Sequence, residues 1–137
     1  MSDFNAQVIS EFRAKGGAVG GPFEGIPLVL LTHRGARSGV RRTTPLRYYR
    51  HRDRLIVFAS NLGSEVHPAW FHNLVANPQV TVEVGNTHYE GIAEVIRDET
   101  RDRLWSLLVQ ELPFLLEHQH RAGRRTIPLV AIRRATQ

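Results

Sequence analysis

Apolar residues at Phe4, Val8, Ile9 and Phe12 recur at helical spacing, and Ser2 stands where an N-cap would sit. The pattern predicts a first helix, ended by Gly16-Gly17 and a flexible Gly20-Gly21-Pro22 loop. A short apolar run, residues 26–33, then predicts a buried strand. Residues 41–50 alternate well enough for a second strand, with Thr43, Leu46 and Tyr48 as partners of the core, and Leu55–Ser60 for a third. Pro68 suits the first turn of a short helix, 68–75, which Asn77-Pro78 stops. Val80, Val82 and Val84 alternate with polar residues; Gly85-Asn86 turns the chain, and Thr87–Ile96 returns. Asp98 is placed to cap a helix carrying Leu104, Trp105, Leu107, Leu108 and Leu112. Pro113 breaks it, a further helix runs to Gly123, and Thr126–Arg133 reads as the last strand.

The sum is about six antiparallel strands joined mostly by hairpins, with helices at the periphery. Such an order excludes the strand–helix alternation of a parallel sheet and predicts a mainly β, α+β fold: a small barrel or half-barrel. At 137 residues with no repeat or linker, the chain reads as one domain, 1–137.

Composition removes several chemistries. The absence of cysteine excludes disulfides, thiolate nucleophiles and iron–sulfur clusters. The single lysine, Lys15, is followed by glycine, so no P-loop exists, and no Gly-x-Ser-x-Gly or Gly-x-Gly-x-x-Gly motif occurs. His67/His72 and His118/His120 are not spaced as metal pairs, so no metal site is expected. With no apolar run long enough to span a bilayer and no leader pattern, the sequence reading expects a cytoplasmic protein.

Charge sharpens the picture. Formal net charge is +5, yet eight arginines and one acid fall between residues 32 and 54, so the remainder is mildly acidic. Within that segment, Gly35-Ala36-Arg37-Ser38-Gly39 is a tight turn followed by Arg41 and Arg42. Backbone N–H groups, the Ser38 hydroxyl and the guanidinium forks of Arg37 and Arg42 suit a phosphate or a polyanionic tail. The same residues also read as a plain hairpin turn with solvated arginines. A second cluster, Ala59-Ser60-Asn61-Leu62-Gly63-Ser64, ends a strand in small polar residues against which a flat ring could lie, or is an ordinary loop. A third, His67–Pro78, puts Trp70 and Asn73 on one face of a short helix, where Trp70 also suits a core position.

In this order and spacing, the three segments resemble the deazaflavin-dependent nitroreductase family, whose members are split β-barrels similar to FMN-binding proteins. The resemblance runs from Asn5-Ala6-Gln7-Val8-Ile9 to Thr126-Ile127-Pro128-Leu129-Val130. It implies an oxidoreductase that moves a hydride from reduced coenzyme F420 to a small acceptor: a quinone, a nitro compound or an activated alkene. Carried over by position, it implies that Arg37, Ser38 and Arg42, with Arg41 in support, hold the phosphate and glutamyl tail. Ser60 and Asn61 would line the ring, and Trp70 and Asn73 would close the pocket. Phe23, Tyr48 and His118 would face the acceptor, with Tyr48 one candidate proton donor. Ala36 and Asn61 stand where relatives often carry cations.

Two other readings follow from the same residues. A split barrel of this kind also accommodates FMN. Alternatively, the arginines with Tyr48 and Tyr49 would form a basic ribbon for nucleic acid, although alternation divides them between two strand faces. A homodimer, and peripheral membrane contact through the first helix and the basic hairpin, are compatible with the enzyme reading.

Overall fold

A computed structural model describes residues 3–135, with the side chain of Asp3 outside the description. Ser2, the expected cap of the first helix, lies outside the described residues. Helix α1 (Asp3–Ala14) precedes β1 (Leu28–Arg34), β2 (Arg41–Arg47), β3 (Tyr49–His51) and β4 (Arg54–Phe58). Helix α2 (Ala69–Ala76), the hairpin β5 (Gln79–Val84) and β6 (Thr87–Ile96), α3 (Asp98–Glu111), α4 (Phe114–Ala122) and β7 (Leu129–Arg134) complete the order.

All strand pairs are antiparallel, in the order β2-β1-β5-β6-β7-β4-β3. The expected single strand 41–50 is therefore two strands, making seven rather than six. Its halves sit at opposite edges of the sheet, joined by Tyr48, whose N–H carries the β1–β2 register one residue further by donating to Pro27 O (3.2 Å). One bent segment thus links the two edge strands and curls the sheet into a half-barrel. The split-barrel expectation holds.

Alternation sorts the strand residues into two environments, both apolar. Val29 and Leu31, Leu55 and Val57, Val80 and Val82, and Val130 and Ile132 meet inside, with Trp70, Phe71 and Leu74 of α2 closing the cluster. The opposite faces are covered as well. Leu28 and Leu30 pack under Val8, Ile9 and Phe12 of α1, while Ile56, Phe58, Leu129 and Ala131 pack under Leu104 and Leu108 of α3 and Leu115 near the start of α4. Strands covered on both faces read as continuous apolar runs, which is why residues 26–33 do not alternate in sequence. Of the expected partners on 41–50, Leu46 and Tyr48 pack on the interior, whereas Thr43 bonds Thr32 across the strand pair (2.8 Å) beside α1.

Several boundaries differ from expectation for local reasons. β1 starts at Leu28, because Pro27 has no N–H to give the ladder. β7 starts at Leu129 rather than Thr126. The Ile127 N–H donates instead to Gln119 Oε1 (2.9 Å), and its carbonyl accepts from Arg101 (2.7 Å). Pro68 precedes α2 rather than opening it. Asp98 is not a side-chain cap but a helix residue with φ +59°, and Arg97 takes the flanking position.

Candidate cofactor site

The Gly35–Gly39 turn is built by its own backbone. The Gly35 N–H donates to Val40 O (2.9 Å), the Gly39 N–H to Gly35 O (3.0 Å), and the Val40 N–H to the Ser38 hydroxyl (3.1 Å). Gly39 has φ +72°, which a side chain would resist. What holds this exposed turn to the barrel is a buried chain of polar groups. Asn73 of α2 accepts the Ala36 N–H at Oδ1 (2.9 Å) and donates its amide to His33 Nδ1 (3.1 Å); His33 Nε2 meets Thr44 Oγ1 at 2.9 Å.

That chain settles the state of His33. Asn73 Oδ1 faces a backbone donor, so its NH2 faces the ring, and Nδ1 must be the acceptor. The proton sits on Nε2 and is donated to Thr44. Burial, then the nearby Arg42, pushes the His33 pKa down from its ordinary value. His33 and Asn73 are the two buried polar side chains of the described core, and both are spent on positioning the turn.

Beneath the turn lies an open cleft of about 780 Å³ between β1, β2 and α2. Arg37, Ser38, Arg42, Trp70 and Asn73 all line it, and no carboxylate does. Among the described residues, neither the Arg37 nor the Arg42 guanidinium has a hydrogen-bond or ion-pair partner. Two free forks in a cleft without acids form an electrostatically suitable seat for an anion. Arg41 is elsewhere. One residue out of phase with Arg42, it points to the outer face and donates to Thr81 (3.1 Å), which in turn bonds Glu90 (3.0 Å).

The second cluster forms the loop after β4, and none of its residues is among those lining this cleft. Asn61, Leu62 and Gly63 form a 3-10 turn with φ of +49°, +54° and +79°. Gly63 is required, since a Cβ there would lie 2.8 Å from His118 O. The loop is clamped by Arg125, which donates to Ala59 O (2.8 Å), Ser60 O (2.6 Å) and Ser64 O (2.9 Å), and to His67 Nδ1 (2.9 Å). His118 Nδ1 lies 3.2 Å from Ser60 Oγ. Burial and then Arg121 hold His118 below the usual imidazole pKa.

Leu62 is 77% exposed in a conformation that L side chains disfavour by roughly 1–2 kcal/mol. Leu62→Gly relieves that strain but adds unfolded-state entropy, for an expected net gain of about 0.5–1 kcal/mol, or a few degrees in Tm. A thermal melt checks it; a lower Tm would show that the Leu62 side chain makes a contact that matters.

Among the expected acceptor residues, only His118 stands beside this loop. Tyr48 packs on the barrel interior, and Phe23 packs against Phe4 (5.8 Å between ring centroids) and the α1 cluster. Neither lines the cleft. His33 and Arg125 escaped the sequence reading. His33 shares the inward parity of Val29 and Leu31, a signal that was legible. Arg125 acts across about sixty residues of chain, and no local pattern marks it.

The family model for F420H2-dependent quinone reductases matches residues 6–133. The chain belongs to this family. A curated F420H2-dependent quinone reductase of Mycobacterium tuberculosis is 32% identical over 126 residues, covering 90% of this chain and 85% of that one. A solved F420-H2 dependent reductase is 34% identical, with a TM-score of 0.69 over 77% of this chain and 93% of its own. A further solved chain, a domain-swapped dimer, is 30% identical with a TM-score of 0.71, covering 95% and 97%. Membership of the quinone reductase family makes the chain an oxidoreductase with coenzyme F420 as its cofactor. The nitroreductase name is a looser label for the same resemblance. Among the described residues, no helix is long and apolar enough to cross a membrane.

Proposed function

We propose that the protein, folded as one domain, passes a hydride from reduced F420 to a quinone, and that the cleft under the Gly35–Gly39 turn is where the cofactor is held. The observation that carries this reading is the pair of unpartnered guanidinium groups, Arg37 and Arg42, in a cleft that contains no acid. Arg37, Arg42 and the remaining donor capacity of Ser38 would hold the phosphate and glutamyl tail, and Trp70, 8% exposed, supplies a rigid apolar wall. Ser60 and Asn61, fixed by Arg125, would flank the ring. The bound deazaflavin supplies a two-electron hydride donor; the protein supplies position and charge.

His118 is better placed than Tyr48 to relay a proton to the reduced acceptor, because its ring meets the Ser60 hydroxyl of the loop that would flank the deazaflavin, whereas Tyr48 packs on the barrel interior. A quinone is preferred to a nitro compound or an alkene on the strength of the family alone. A homodimer is proposed on the precedent of the domain-swapped relative. The test is a fluorescence titration with F420 and FMN, followed by turnover of F420H2 with a simple naphthoquinone. Saturable micromolar binding of F420 and not FMN, with quinone-dependent oxidation, is expected. A preference for FMN would sink the reading.

A further inference from the structure

Arg47 is the one residue whose side chain carries a buried polar atom without a partner among the described residues: its Nε is shut off from solvent and bonds nothing. Its guanidinium carbon stands 5.0 Å from the Phe114 ring centroid. No hydrogen bond or ion pair to either terminal nitrogen is present among the described residues, and neither nitrogen is among the buried unpaired atoms. The fork is therefore held against an aromatic face with its inner nitrogen closed in and its outer edge open. A planar cation immobilised in this way, with no carboxylate to neutralise it, is pre-organised for an anion from outside.

Its surroundings place it at the acceptor end. Phe114 packs edge-on to His118 (5.2 Å between centroids), and His118 meets the Ser60 hydroxyl. Arg47 is thus linked through two ring contacts to the loop that would flank the deazaflavin. It lies outside the cleft that holds Arg37 and Arg42, so it is not one more tail ligand. Pro45 separates it from the tail-side residues of β2, and Arg47 and Arg42 differ in parity along the strand.

We infer that Arg47 is a specificity-determining residue that selects an acceptor bearing a negative charge, such as a quinone with a carboxylate side arm, over its neutral counterpart. The inference rests on the proposed function, with the acceptor reached from the side of α4 that carries Phe114 and His118. Only the outer edge of the guanidinium would touch the anion. Phe114 would act as a positioning residue, holding the plane of the fork.

The test uses protein saturated with oxidised F420, which has no electrons to pass on, so binding is read without turnover. The probes are a 1,4-naphthoquinone with a carboxyethyl arm and its methyl ester, alike in the ring and different in charge. Calorimetry on wild type is expected to give a Kd about tenfold or more lower for the acid, the usual worth of one charge-assisted pair. In Arg47→Met the two probes bind alike. Arg47→Lys keeps the charge without the fork and retains part of the preference, and Phe114→Leu shrinks it. A wild-type ratio near one, an unchanged ratio in Arg47→Met, or no saturable binding of either probe overturns the inference. Turnover with F420H2 separates it from the parent reading. Equal binding with reduction of both probes overturns anion selection and keeps the quinone reductase. A binding preference without reduction of either does the reverse.

Discussion

Replacing Arg37 and Arg42 together with alanine is expected to weaken F420 binding by about 100-fold while leaving the melting temperature nearly unchanged. Hydrogen bonds to charged groups contribute about 1.5–3 kcal/mol each; solvent screening at an exposed turn brings each toward the lower end, or about tenfold apiece. Stability should hold because neither guanidinium has a partner within the described fold, and surface changes away from such contacts stay within about 0.5 kcal/mol. Salt supplies the second check. Wild-type affinity should fall as ionic strength rises, since both charges are exposed to screening, and the double variant should have a flatter response. Lysine at either position restores charge but not the two-pronged geometry, and should recover only part of the affinity. Unchanged affinity in the double variant would return the turn to a solvated hairpin and move the cofactor elsewhere.

Asn73→Leu is the substitution expected to damage the fold most for its size. It removes the acceptor for the Ala36 N–H and the donor for the His33 ring at once, and it leaves Nδ1 buried without a partner. The expected loss is about 2 kcal/mol or more from the unpaired buried group, read by denaturant melts, with weaker F420 binding as the turn comes loose. A purely structural loss would lower stability alone. Weakened binding at temperatures far below the melt is what marks positioning of the turn.

The same network makes stability depend on pH. The folded His33 pKa is pushed below its ordinary value of 6.5 by burial and Arg42, so the unfolded chain takes up a proton that the fold refuses. Stability is therefore full above that value and falls as pH drops below it, by about 1.4 kcal/mol per pH unit while only the unfolded chain is protonated. Asn73→Asp should reverse the sign. A carboxylate keeps the bond from Ala36 but faces Nδ1 with an acceptor, which favours the doubly protonated ring. The His33 pKa then rises, and the associated stability is lost as pH climbs rather than as it falls. A wild-type slope in the Asp variant would show that His33 is not the titrating group.

Much of the fold was legible because one physical cause dominates it. Burial imposes period 2 on strands and 3.6 on helices, so α1, the β5–β6 hairpin and the broken α3–α4 pair could be placed from apolar positions and proline alone. The Gly35–Gly39 turn was legible for the same local reason: glycines and an adjacent arginine pair state both a backbone shape and a charge. Parity along 41–47 is legible too, since alternation puts Arg41 and Arg42 on opposite faces of β2.

The sequence by itself determined the antiparallel strand–helix order, the concentration of cation in one hairpin, and the segments by which the chain resembles its family. Tertiary structure alone decided that one strand would bend at Tyr48 and supply both edges of the half-barrel. It decided that Asn73 would hold the turn, that Tyr48 and Phe23 would pack on the barrel interior and against α1, and that Arg125 would clamp a loop some sixty residues away. The division is physical. Propensity, periodicity and turn chemistry act within a few residues and leave a local trace in the sequence. A buried hydrogen bond between distant segments leaves none, because its partners become neighbours only when the barrel closes.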